Sequence, residues 1–293
     1  MSVRAPAARP RGQAPPPGVR RLFAYAAREV APRHTRPPHR GLPSSTLTVI
    51  VATDSPLLCS ATADEWASGQ GTRHEVCLGA FHLQPVYLQR PDLQEGVQVA
   101  LHPLAARRLF GLPAAALTGL TQEGDAVLGP GVRALHRRVA SAAPGEREGL
   151  VAHGLAELAV RHERTPAPRR EVVGAWRLLE RAGGRMRVGD VADGVGLTPR
   201  HLSSLVKAEL GIGTKQLADL FRWESAHAAL VRGIRSGRPP LLADLAHTHG
   251  YADHAHLDAA YRRYAGTSPS SWIGEEFRNI QAGGDPGGRH SEP

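Results

Sequence analysis

The last hundred or so residues carry one pattern twice, and that repetition restricts the fold more than any other feature of the chain. In the first copy Val188, Val191, Ala192 and Val195 recur at i, i+3, i+4 and i+7, one face of a short helix. Gly196 offers the positive φ that a tight interhelical turn needs. Thr198 can cap the next helix, with Pro199 at its first position. There Leu202, Leu205, Val206 and Leu210 form a buried stripe, and Arg200, His201, Ser203, Ser204 and Lys207 face outward. The second copy repeats the logic. Leu242, Leu245, Ala246 and His249 share a face, Gly250 makes the turn and Asp253 caps. The inner face of the helix that follows is Leu257, Ala260, Tyr261 and Tyr264. His254, Ala255, His256, Asp258, Ala259, Arg262 and Arg263 are left outside or at the rim. A short helix, a glycine turn and a capped second helix with a polar outer face describe a helix-turn-helix. Between the copies, residues 214–232 read as one amphipathic helix carrying Leu217, Leu220, Phe221, Glu224, Ala228 and Val231 on a side. It would span about 28 Å. That is close to the roughly 34 Å between successive major grooves on one DNA face.

These residues carry a family resemblance. Residues 171–277 resemble the C-terminal DNA-binding domain of AraC-type transcriptional regulators, which holds two helix-turn-helix motifs on a linking helix. The matching runs are Asp190-Val-Ala, Gly196-Leu-Thr-Pro-Arg-His-Leu202, Glu209-Leu-Gly-Ile212 and Leu245-Ala246. Gly250-Tyr-Ala-Asp-His-Ala-His-Leu257 and Ala265-Gly-Thr-Ser-Pro-Ser-Ser-Trp272 complete the set and are the most specific. The resemblance implies double-stranded DNA as partner, with Thr198, Arg200, His201, Ser203, Ser204, Lys207, His254, His256, Arg262 and Arg263 as its contacts. The chain departs from the family at Ser204, commonly Arg, and at Val206, where an aromatic usually packs. Ala255 and Ala259 leave the second outer helix few groups that can read a base edge.

Upstream the texture is different. Short β-rich runs at residues 47–51, 76–83, 86–88 and 97–101 are broken by turn clusters such as Asp54-Ser55-Pro56 and Gly69-Gln70-Gly71. Helices are expected at 20–30, 103–110, 113–117, 131–139 and 146–161, before a polar, proline-punctured linker at 161–170. Gly96 to Ala114 resembles the N-terminal domain of a subset of the same regulators, in which a cupin-like β-rich portion precedes a helical bundle. The expected fold class is therefore α+β: a cupin-like N-terminal domain with a helical extension, then an all-α domain with two helix-turn-helix motifs. The expected boundaries are a disordered basic arm at 1–20, a sensing or dimerisation domain at 21–163, the DNA-binding domain at 171–280 and a disordered tail at 281–293. The resemblance leaves room for a small-molecule effector, RNA polymerase and a second copy of the chain as further partners, and names no effector.

Length and charge agree with this division. The 293 residues suit two domains at roughly 100–200 residues each. The net charge of +9 lies mostly in residues 1–40, which hold nine arginines and one glutamate, so the basic balance by itself says little about DNA. No apolar run reaches the roughly 18–20 residues of a membrane span, and the first thirty residues lack the apolar block of a secretory signal. With two cysteines, Cys59 and Cys77, and no close pair, the expectation is a reducing, cytoplasmic setting.

Some of the remaining residues admit other readings. His247/His249 and His254/His256 sit two apart on helices, where side chains diverge by about 200°, so neither pair chelates a metal. Asp64-Glu65 with Glu75 has no catalytic company, and Trp176 and Trp272 read as core anchors. Cys59 or Cys77 could accept a methyl group, as in DNA-repair relatives of the family, or serve as a thiol sensor. Both roles need an activated thiolate, and buried structural cysteine is the simpler expectation. A repair alkyltransferase or small-molecule-modifying cupin fused to a DNA-targeting module is thus the alternative. The expectation is a non-enzyme with no metal and no cofactor.

Overall fold

A computed structural model describes residues 16, 18–28, 38–89 and 93–281. The chain separates into two compact units, one drawn mainly from residues up to Ala167 and the other mainly from Pro168 onward. Residues 1–15 and 17 of the expected arm, and 282–293 of the expected tail, lie outside the described residues.

The first unit is built on two antiparallel sheets. The five-stranded sheet runs β1 (Val19–Arg28), β8 (Leu93–Leu101), β3 (Leu47–Ala52), β6 (Val76–Gly79), β9 (Thr121–Glu123). The four-stranded sheet runs β2 (His39–Gly41), β7 (Val86–Leu88), β4 (Leu57–Ser60), β5 (Thr72–His74). Period-two alternation explains the larger sheet. Leu47, Val49 and Val51 of β3 and Val97, Val99 and Leu101 of β8 are all buried, and the two strands pair Leu47↔Leu101 through Ala52↔Gly96. Gly96 is there because a Cβ would run into the Val51 carbonyl and the Tyr25 ring.

The helix expected at residues 20–30 is a strand. β1 pairs antiparallel with β8 from Val19↔Leu101 to Arg28↔Leu93 and takes in Val19 and Arg20 at the end of the expected arm. The helical spacing of Leu22, Phe23 and Ala26 yields to a nine-residue partner strand that satisfies the backbone on one edge. The run at 76–83 is likewise shorter, ending as β6 at Gly79. The helical extension is as expected. A 3-10 turn at Pro103–Ala105 leads into α2 (Ala106–Phe110), after α1 (Ala63–Ala67). Then come a second such turn at Ala114–Ala116, α3 (Gly124–Leu128), α4 (Gly131–Ser141) and α5 (Arg147–Arg161).

The second unit is helical: α6 (Arg170–Arg181), α7 (Val188–Gly194), α8 (Pro199–Leu210), α9 (Thr214–Arg235), α10 (Leu242–Thr248), α11 (His254–Ala265) and α12 (Pro269–Gln281). Helix α9 is the spine. It runs 22 residues, three beyond the expected end, which is about 33 Å. It buries Leu217, Leu220, Trp223, Ala226, Leu230 and Ile234 together. Burial on nearly every side means that helices pack all round it, so it is no one-faced amphipathic linker. Near its start Phe221 meets Trp176 edge-on at 5.0 Å. Farther along, the Trp223 ring stacks on His227 at 4.9 Å and lies 5.2 Å from Tyr264, and His227 meets Trp272 edge-on at 4.6 Å. Trp176 and Trp272 are 1% exposed, core anchors as expected. The whole is an α+β chain.

Candidate nucleic-acid interface

The two repeated motifs fold as the residues predict. In the first, Gly196 sits at φ +70° between α7 and α8, and the Thr198 hydroxyl accepts from the His201 amide at 3.3 Å. In the second, Gly250 sits at φ +75° between α10 and α11, and the Asp253 carboxylate accepts from the His256 amide at 2.8 Å. Each cap ties down one of the orphan amides at a helix start, which fixes where the outer helix begins. Inward, Leu202, Val206 and Leu210 of α8 and Leu257, Tyr261 and Tyr264 of α11 are buried. Leu205 and Ala260, expected in the stripes, are only half-buried, and Glu209 is buried although it was not expected there.

The outward face of α8 presents Thr198, Arg200, His201, Ser204 and Lys207, all exposed. Ser203 departs from the expectation. It is half-buried, and its hydroxyl lies 2.9 Å from where a Cβ on Gly213 would be, so it is turned toward the α8–α9 corner. On α11, His254, His256, Arg262 and Arg263 are exposed. Two of these side chains are engaged along their own helix, His254 lying 3.4 Å and Arg262 3.7 Å from the Asp258 carboxylate. The His256 ring accepts from the Ala252 amide at 3.3 Å, and Arg263 lies over the Tyr264 ring at 5.2 Å. Thus α8 offers hydrogen-bonding groups facing solvent, whereas on α11 Asp258 already engages His254 and Arg262.

A shallow cleft beside α11 is lined by Lys215, Asp219, Arg222, Tyr251, His256 and Arg263. Exposed Lys215, in the first turn of α9, escaped the sequence reading because it falls on the helix between the motifs. Its one signal was a charge two residues after Gly213, at a helix start. Arg222 has structural work here: it donates to the Gly184 carbonyl at 3.2 Å.

One histidine couples this unit to pH. His249, at the α10 turn, lies 3.0 Å from the Ser225 hydroxyl. Burial, then Arg185 and Arg232, hold its pKa below the usual 6.5. The unfolded chain therefore takes up the proton first, so this contribution to stability is full above pH 6.5 and is lost as pH falls below it. His249→Gln should reduce the acid-side decline in urea-unfolding stability between pH 7 and 5; an unchanged slope would reject the assignment.

One family model matches this region. Residues 191–274 match the family model described as a helix-turn-helix domain. The C-terminal region is an AraC-type, DNA-binding helix-turn-helix domain. Beyond the AraC-type domain the likeness is one of fold. The solved structure of ToxT from Vibrio cholerae aligns over 87% of this chain and 98% of its own, at 10% identity and a TM-score of 0.50. The C-terminal domain of AraT, a response regulator from Geobacillus stearothermophilus, aligns over 36% of this chain and 84% of its own, at 23% identity and a TM-score of 0.31. No curated protein matches the chain. Among the described residues, no helix is long and apolar enough to cross a membrane.

Proposed function

We infer that the chain is a sequence-specific transcription regulator whose two helix-turn-helix motifs enter adjacent major grooves of double-stranded DNA. The observation that carries this reading is the pair of capped, solvent-facing helices, α8 and α11, both packed on the single helix α9, about 33 Å long. Arg200 and His201, with Ser204 and the cap Thr198, face base edges, and Ser203 sits at the rim. Lys207, Lys215, Arg262 and Arg263 hold phosphates, while His254 and His256 reach the second groove. Residues 21–163 serve sensing or dimerisation and residues 171–280 bind DNA. A small-molecule effector, a second copy and RNA polymerase belong to the same reading as partners of the regulator.

The chemistry of the two outer helices supports an unequal division of work. Asp258 repels phosphate, can accept only from a cytosine amino group, and already holds His254 and Arg262. The first motif then carries most of the sequence information, and the second supplies affinity and register. The test is selection of bound sequences by the purified chain, followed by binding of variants to the best site and to random DNA. Arg200→Ala should lose about 1–3 kcal/mol of discrimination at one position of the site. Replacing Arg262 and Arg263 by Ala should weaken all sequences alike and lower the log–log salt slope by about 0.9 per lost phosphate contact. Equal information in both half-sites would overturn the division, and uniform weakening by Arg200→Ala would make that residue a phosphate contact.

The enzyme alternative gains no support from the thiols. Hydrogen bonding with Cys59, then burial, push the Cys77 thiol well above its usual value, the opposite of what a methyl acceptor needs.

A further inference from the structure

Cys59 and Cys77 stand far apart in the sequence and together in the fold. Cys59 is on β4 of the four-stranded sheet and Cys77 on β6 of the five-stranded one, yet their sulfurs are 3.9 Å apart and both are buried. His74 ends β5, and the chain crosses from one sheet to the other through Glu75 and Val76 to Cys77. Because Leu57 pairs with His74 and Cys59 with Thr72, His74 and Cys59 project from the same face of their sheet. The result is a buried cluster of one imidazole and two thiols whose candidate ligand atoms all lie within 4.8 Å of one another.

We propose that Cys59, His74 and Cys77 form a binding site for a thiophilic metal ion, Zn²⁺ by best fit, that staples the two sheets of the N-terminal unit. The spacing already suits the ion. Two sulfurs each about 2.3 Å from a tetrahedral centre are about 3.8 Å apart, against the 3.9 Å found. A disulfide would need them at about 2.05 Å. The imidazole is prepared as well. His74 is 1% exposed, and its Nδ1 makes no well-formed hydrogen bond, only a longer approach to the Glu123 carboxylate. Whichever ring nitrogen meets the ion, the other has an oxygen to orient it: Thr121 Oγ1 is 3.0 Å from Nε2, and a Glu123 carboxylate oxygen is 3.4 Å from Nδ1. Glu123 is itself fixed by the amides of Glu75, Val76 and Gly124. Soft thiolates with imidazole select Zn²⁺ or Cu⁺ over oxygen-seeking ions. Binding replaces both S–H bonds by S–Zn bonds and releases two protons to solvent. The three residues leave a fourth coordination position, for water or another ligand.

The experiment uses the full chain, expressed with cobalt or zinc supplied because the site is buried. The chain has only two cysteines, so a thiolate-to-cobalt charge-transfer band in the near ultraviolet can come from nowhere else. Expected are one ion per chain, that band, and loss of both in Cys59→Ser and in Cys77→Ser. X-ray absorption of the unaltered zinc form should give two sulfurs at about 2.3 Å and a nitrogen at about 2.0–2.1 Å, and it needs no variant to fold. Substoichiometric metal without the band, a shell of nitrogen and oxygen only, or a mass two hydrogens short in reduced-lysate preparations, marking a disulfide, would each overturn the site. None of these readouts involves DNA, so the regulator reading stands or falls separately.

Discussion

Trp223→Ala should lower the unfolding free energy of the C-terminal unit by about 3–5 kcal/mol, the usual cost of emptying a buried indole site. The ring is 1% exposed, lies against His227, Tyr261 and Tyr264, and belongs to the cluster that holds α11 and α12 on α9. Helix α11 owes its place to that cluster, so, on the proposed reading, DNA affinity should fall with stability although Trp223 is itself buried. Trp223→Phe should cost much less. It keeps an aromatic ring and removes an indole N–H that is buried without a hydrogen-bond partner. Urea unfolding followed by far-ultraviolet circular dichroism checks both variants. A loss under about 1 kcal/mol for the alanine variant would show that the cluster is not the anchor described.

Gly184→Ala should be nearly as damaging, and for a different reason. Gly184 lies at φ +71° just after α6, with its face pressed on the backbone of α9. A Cβ there would overlap the Ala218 carbonyl and come within 2.6 Å of the Arg222 amide nitrogen. Left-handed backbone costs a side chain about 1–2 kcal/mol, and forced overpacking adds about 1–3 kcal/mol. Gly196→Ala is the control. Its φ is +70°, almost the same, but a Cβ there meets nothing within 4 Å. It should show only the backbone penalty. Equal destabilisation by the two substitutions would mean that the contact with α9 contributes nothing.

Legibility in this chain follows the range of the forces involved. Both helix-turn-helix motifs could be read directly, because each rests on local chemistry: apolar spacing of three and four, a glycine at the turn, and a cap whose partner is three residues away. Thr198 with His201 and Asp253 with His256 are bonds the sequence spells out. The exposure of Arg200, His201, Ser204 and Lys207 follows once the helix is granted. Long-range pairing was invisible in the same terms. Leu22, Phe23 and Ala26 have helical spacing, yet β8, some seventy residues on, takes them into a sheet. Ser203 looked outward on a helical wheel, and only the arrival of α9 at Gly213 turns its hydroxyl inward. Trp223 could not be recognised as an anchor until α11 and α12 folded back on α9. Most plainly, Cys59 and Cys77 looked like isolated residues and are 3.9 Å apart. By itself, then, the sequence determined the two motifs and their polar faces, where neighbours within four residues decide the outcome. The tertiary structure alone decided the strand at the N-terminus, the aromatic core around α9 and the cysteine–histidine cluster, since each joins residues that meet only after the chain has closed on itself.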